Sequence, residues 1–180
     1  DPLFGWREFF CFCLSDVPRV GGAGVSIKGL TDRISVIEFH LITQRFSAAE
    51  ARAEKLGNVH VHRVGSCSSY FSKMLFVVDA AVAAIQLHKR EHFDGAWAMM
   101  SYMLLPLVLM RLLGTAPPYA LTLQEGDTED PMFARLRIVP FLPLLRSGFK
   151  NARAVSALST FLAAWAKRMG YKGAVEIVPN

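Results

Sequence analysis

The sequence predicts an α/β protein, a Rossmann-like, doubly wound, mostly parallel sheet of about seven strands flanked by helices. Three observations predict it. Short apolar runs alternate with helix-period patterns along all 180 residues. Several of the runs are apolar on both faces, as strands covered from both sides must be. Hydrophobic residues make up 52% and charged residues 19%, enough apolar surface for one substantial core. The whole chain, 1–180, reads as a single domain.

The elements follow in order. Residues 9–14 (Phe-Phe-Cys-Phe-Cys-Leu) are a first strand. Pro18 and Gly21-Gly22 mark a loop over 15–23, and 24–34 reads as a helix. Residues 38–43 form a second strand, and 48–56, rich in Ala and Glu, reads as helical. The run 59–64 alternates with period two, so it is a half-exposed strand. A long helix spans 69–91, with Phe71, Leu75, Val78, Val82 and Ile85 as its core-facing stripe. The fourth strand is 93–100, and a helix over 104–113 closes on Gly114 as its C-cap. Pro117-Pro118 opens the strand 119–123, and an acidic loop covers 124–130. Residues 132–150 are mostly helical, kinked or divided at Pro140 and Pro143. A sixth strand spans 152–157, and Ser159 caps a helix that ends near Met169. A glycine turn then leads into the β-branched run at Val175. With Asp1-Pro2 at one end and Pro179-Asn180 at the other, the chain reads as a domain excised from a longer protein.

Composition excludes some functions. The net charge is +5, and the basic residues are scattered rather than interleaved with aromatics, so nucleic acid is not an expected partner. An anionic small molecule or an anionic membrane surface fits the charge. Cys11 and Cys13 lie two apart on one strand and cannot bridge, and Cys67 sits in a loop. The odd count points to a reduced, cytoplasmic compartment. The apolar stretch 96–113 is interrupted by Ser101, Pro106 and Arg111, so it reads as a buried helix rather than a membrane span.

In sheets of this kind ligands bind beyond the carboxyl ends of the strands. After strand one, Gly21 and Gly22 let backbone approach a phosphate at a helix N-terminus, although Gly-Gly-x-Gly is not the dinucleotide fingerprint. After strand five, Gln124, Glu125 and Asp127 offer polar groups for sugar hydroxyls, with Gln124 first past the strand. Trp97 and Met99 point the same way from strand four and are candidates for an apolar acceptor wall, core packing being the plainer account. No metal site is expected. His60 and His62 share a strand face with no third ligand near in sequence, so a solvated face is expected there. His88 and His92 sit at a helix end, where the dipole favours them. No nucleophile elbow, Walker loop or Cys-x-x-Cys is present.

Taken together, these residues resemble the N-terminal domain of a family 4 glycosyltransferase of the GT-B type. The Gly21-Gly22-Ala23-Gly24 loop is similar to that family's Gly-Gly loop. Phe93-Asp94, the apolar helix after it and residues 114–122 are similar to its central strand pair. Residues 152–159, Met169-Gly170-Tyr171 and 175–180 are similar to its run into the interdomain linker. The resemblance implies retaining transfer of a sugar from a nucleotide-sugar donor, such as a UDP- or GDP-sugar, to a glycan or lipid-linked envelope acceptor. It implies no further cofactor and no obligatory metal. The N-terminal half would hold the acceptor, and the donor-binding C-terminal domain would lie outside this chain. Gly21 and Gly22 would approach the donor phosphate. Gln124 stands where many members carry His, and Asp127 matches an acid that often follows it. Trp97 and Met99 replace the His-x-His often seen at the end of strand four, a departure that counts against a catalytic side chain in this half and leaves the catalytic residues unassigned. The half alone is expected to be inactive. Peripheral membrane contact and dimerisation through apolar surface are further expectations. The alternative is a stand-alone nucleotide- or cofactor-binding module, which Thr43-Gln44 at the end of strand two, in place of a ribose-binding acid, counts against.

Overall fold

The computed structural model describes residues 7–13, 22–65, 70–124 and 139–179. The described elements are β1 (Glu8–Phe12), α1 (Gly22–Thr31), β2 (Glu38–Gln44), β3 (Ala53–Leu56), β4 (Val59–Val64), α2 (Tyr70–Glu91) and β5 (Gly95–Met99), then α3 (Leu104–Leu112), β6 (Tyr119–Leu123), α4 (Leu142–Asn151), β7 (Ala154–Ala157), α5 (Thr160–Arg168) and β8 (Val175–Ile177). Short 3-10 turns at Ser101–Met103 and Val139–Phe141 lead into α3 and α4. The strands form one sheet in the order β3-β4-β2-β1-β5-β6-β7-β8. Every pairing is parallel except β3 against β4. The α/β, doubly wound, mostly parallel sheet expected from sequence is therefore present, with one more strand than expected.

That extra strand corrects the helix expected over 48–56. Ala-rich composition favours a helix there, but local bonds compete with it. Glu50 Oε2 accepts from the N–H groups of Phe46 and Ser47, and Ser47 Oγ accepts from the Ala49 N–H. Gly57, at φ +62, then makes a two-residue turn with Asn58, so Leu56 pairs with Val59. The Asn58 amide secures the turn by donating to the carbonyls of Thr31, Ile34 and Ile37.

Each strand of the centre feeds two cores because its side chains alternate. Phe10 and Phe12 of β1 join Phe76, Leu104, Leu107, Phe149 and Trp165 in the larger cluster, under α2, α3, α4 and α5. Cys11 and Cys13 turn to the other face with Phe39, Leu41, Val61 and Met99, against Ile27 of α1. Cys67 lies outside the described residues.

The core-facing stripe of α2 also differs from expectation. Leu75, Val78 and Val82 are exposed by 47%, 51% and 48%, while Phe76, Ala80 and Ala84 are fully buried. The sheet presents the large rings of Phe10 and Phe12 to this helix, so small alanines let it sit close. The side chain of Phe71 lies outside the described residues. The helix over 104–113 is a core helix as expected, with Leu104, Leu105, Leu107, Val108 and Met110 buried. No helix among the described residues is long and apolar enough to cross a membrane. Gly114, at φ +70, and Ser159, whose side chain accepts from the Leu162 N–H, terminate and cap as expected.

At the C-terminus of α2, His88 Nδ1 accepts the Phe93 backbone N–H at 3.0 Å. Burial, with His92 nearby, lowers the His88 pKa from its ordinary value near 6.5. The unfolded chain therefore takes up this proton first as pH falls. The contribution of His88 is complete above about pH 6.5 and is lost below it. The stability advantage of the wild type over His88→Leu should shrink between about pH 7 and pH 5 in urea titrations. A pH-independent difference would contradict this.

Candidate functional site

The strand order locates the site. From β1, the chain proceeds through β2 and β4 on one side and through β5 to β8 on the other. The strand order therefore reverses between β1 and β5, and in parallel sheets the carboxyl ends of the strands at such a reversal are where ligands bind. Three features meet at this end of the sheet.

The first is the start of α1 at Gly22, whose leading N–H groups have no partner within the helix. The second is Gln124, one residue past β6. Its Nε2 donates to Ser26 Oγ of α1 at 3.1 Å, joining two segments 98 residues apart. Behind it runs a polar rung across three strands. Trp97 Nε1 donates to Thr122 Oγ1 at 2.8 Å, and Thr122 Oγ1 shares a hydrogen bond with Ser156 Oγ, also at 2.8 Å.

The third feature was not legible in the sequence. Met100, directly after β5, has φ 71 and ψ 151. This region is close to glycine-only, and a side chain there costs about 1–3 kcal/mol. The conformation is held by the Met100 N–H donating to Thr122 O at 2.8 Å and by the Met103 N–H donating to Met100 O at 3.1 Å. It turns the chain sharply out of the strand at the switch point.

Of the residues singled out from sequence, Gly22 and Gln124 lie at this end of the sheet. Gly21, Glu125 and Asp127 lie outside the described residues. Trp97 is half-buried, while Met99 is fully buried in the α1-side core. Met99 thus packs as a core residue, and of the pair only Trp97 retains exposed surface.

The histidines are arranged differently from the solvated face expected. The third partner comes from a neighbouring strand, because β2 pairs with β4 in a register that sets His40 beside His60. His40 is 4% exposed, and its Nδ1 lies 3.1 Å from His62 Nε2. His60 Nε2 lies 2.8 Å from Glu38 Oε2, and Glu38 also pairs with Lys55. His40 Nε2 faces Glu8 Oε2 and Glu91 Oε2. Burial, reinforced by His62 and His60, holds the His40 pKa at about 4, so the ring is neutral near pH 7. Burial, with Glu91 and Glu38 close by, pushes the Glu8 carboxyl up. This cluster lies at the amino end of the strands, away from the carboxyl ends. The signal that could have found it is the His at the third position of β2, two residues after Glu38.

No family model matches the chain, and no curated protein matches it. Solved structures do. Sucrose-phosphate synthase from Thermosynechococcus elongatus superposes with a TM-score of 0.76 at 12% identity, over 96% of this chain and 48% of that one. The catalytic domain of starch synthase IV from Arabidopsis thaliana, bound to ADP and acarbose, gives 0.63 at 10% identity, over 96% and 50%. UDP-N-acetylglucosamine 2-epimerase from Rickettsia bellii gives 0.59 at 8%, over 95% and 44%. The chain spans about half the length of these proteins. At such identities the likeness is one of architecture: over that half, the chain has the fold of GT-B enzymes.

Proposed function

We propose that this chain is the acceptor-side half of a retaining, family 4 glycosyltransferase, which moves a sugar from a nucleotide-sugar donor to a glycan or lipid-linked acceptor. The observation that carries the reading is the junction at the switch point. Gln124, the polar rung behind it and the N-terminus of α1 are gathered at the carboxyl end of the sheet, in a fold shared with sucrose-phosphate synthase and starch synthase IV. Backbone N–H groups at Gly22 suit a phosphate oxygen, and the Gln124 amide suits a sugar hydroxyl. Glu125 and Asp127, which follow it in the sequence, would add acceptors, and the exposed part of Trp97 would give a sugar ring an apolar surface to lie against. A second domain would supply most of the diphosphate contacts, so residues 1–180 alone should show no turnover.

The test is sugar transfer by the intact protein, followed with labelled UDP- and GDP-sugars and with the anomeric configuration of the product determined. Gln124→Ala should lower kcat/KM by about 10-fold or more, the effect of losing one well-placed hydrogen bond. Its unfolding midpoint should stay near that of the wild type. Donor hydrolysis or epimerisation without transfer would defeat the proposal. The likeness to a UDP-N-acetylglucosamine 2-epimerase is the specific reason to measure those products.

Peripheral membrane contact is part of the same proposal. Leu112 and Leu113 are 69% and 67% exposed beside Arg111, an apolar pair next to a cation. Cosedimentation with anionic vesicles, lost on changing both leucines to Ser, is its check. Dimerisation would use the exposed Leu75, Val78 and Val82 of α2, and sedimentation of the intact protein reads it directly.

A further inference from the structure

Glu8, His40 and Glu91 come from three elements and meet at one point. Glu8 opens β1, His40 is the third residue of β2, and Glu91 ends α2. The β1–β2 register pairs Glu8 with Glu38 and Phe10 with His40, so Glu8 and His40 sit on the same sheet face one pleat apart. His40 Nε2 lies 3.3 Å from Glu8 Oε2 and 3.2 Å from Glu91 Oε2. The three donor atoms lie within 4.8 Å of one another.

Hydrogen bonding alone does not satisfy this arrangement. Nε2 carries at most one proton, and it faces two carboxylate oxygens. Glu8 Oε2 is buried and accepts no hydrogen bond among the described residues. Glu91 adds a negative charge at the C-terminus of a helix, where the dipole already disfavours one. A cation between the three atoms would relieve all of these at once.

We propose that Glu8 Oε2, His40 Nε2 and Glu91 Oε2 form a binding site for a divalent transition cation of the zinc type, with a water completing the coordination. The spacing supports the choice. Zinc bonds of about 2.0–2.2 Å place adjacent ligands of a tetrahedron about 3.3–3.6 Å apart, close to the two separations found here before any ion draws the groups in. An imidazole with two carboxylates suits zinc. Calcium takes six to eight oxygens and magnesium a near-ideal octahedron of them.

The surroundings hold the ligands. With Nε2 given to the metal, Nδ1–H donates to His62 Nε2 at 3.1 Å and fixes the tautomer of His40. Asp94 Oδ2 accepts the N–H groups of Arg7 and Glu8, anchoring the strand end that carries Glu8. His40 is buried, but the Glu8 and Glu91 side chains are 28% and 39% exposed, which leaves an ion a way in. Because the ligands lie at the amino end of the sheet, opposite the carboxyl ends, the ion would clip β1, β2 and α2 together rather than take part in transfer.

The test uses the intact protein, stripped with a chelator. One equivalent of Co²⁺ should produce visible d–d absorption of tetrahedral intensity. Zn²⁺ should abolish it, and Mg²⁺ at the same concentration should not. Zn²⁺ should also raise the unfolding temperature. Glu8→Gln and Glu91→Gln should each weaken Zn²⁺ binding by more than about 10-fold. Both should fold without metal, since each removes one of two facing carboxylates. Glu38→Gln should change binding by less than about 2-fold, because Glu38 is already paired with His60 and Lys55. No Co²⁺ spectrum, or loss of binding in Glu38→Gln with retention in Glu91→Gln, overturns the assignment.

Discussion

Phe10→Ala is expected to lower stability by about 3–5 kcal/mol, the range for emptying a buried aromatic site. Phe10 is fully buried in the strand at the pivot of the sheet, paired on both sides by β2 and β5. Its ring stacks on Phe93 with centroids 3.6 Å apart, and Phe12 is 5.7 Å away. The site cannot collapse easily, because the backbone around it is locked into two ladders. Since domains are stable by only about 5–15 kcal/mol, this is a large share of the total. Urea denaturation of Phe10→Ala and Phe10→Leu beside the wild type is the measurement, with the Leu variant losing less than half as much. A loss below about 1 kcal/mol for the Ala variant would show that the core there is loosely packed.

Gly148→Val is expected to cost about 2–3 kcal/mol through overpacking. Gly148 lies in α4 where it crosses α3. A Cβ at this position would stand 3.1 Å from both Leu104 Cβ and Val108 Cγ2. Neither atom is the far end of a flexible chain: one sits on the backbone, and the other belongs to a β-branched residue with little χ1 freedom in a helix. The clash therefore outweighs the roughly 0.5–1 kcal/mol that leaving glycine gains in a helix. Spreading the helices would also strain the bond from Tyr119 Oη–H to the Gly148 carbonyl, a buried contact of 2.8 Å. Thermal unfolding of Gly148→Ala and Gly148→Val should show a graded loss. A stabilised Ala variant would mean that α3 and α4 can separate freely.

The order of strands and helices was largely legible because their signals are local. A two-sided apolar run marked β1, strict alternation marked β4, and Pro117-Pro118 marked the start of β6. Where the signal was composition alone, it misled. Ala and Glu over 48–56 favoured a helix, but Glu50 and Ser47 bond to nearby backbone N–H groups, and Gly57-Asn58 forces a hairpin. Of the stripe expected on α2, Ile85 packs on the core, but Leu75, Val78 and Val82 face outward for a different reason. Large apolar residues occupy more than one side of that helix, and the rings of the sheet beneath it select the alanine side.

For the site, the sequence pointed to Gly22 and Gln124 because an element's end can be read from its own residues. It could not place Ser26 against Gln124, nor the Met100 backbone strain, because both depend on which strands become neighbours. The histidine cluster is the clearest example. Read along the chain, His60 and His62 lack a third partner, and Glu8, His40 and Glu91 lie in separate segments.

By itself, then, the sequence determined the alternation of elements, the two-faced core and the class of fold, since periods of 2 and 3.6 residues are properties of short segments. Only the tertiary structure decided that β1 lies between β2 and β5. That adjacency, with the parallel register it imposes, brings chemistry from distant segments to the two ends of one sheet. The physical reason is that strand order is set by how whole faces bury together, a quantity no local window contains.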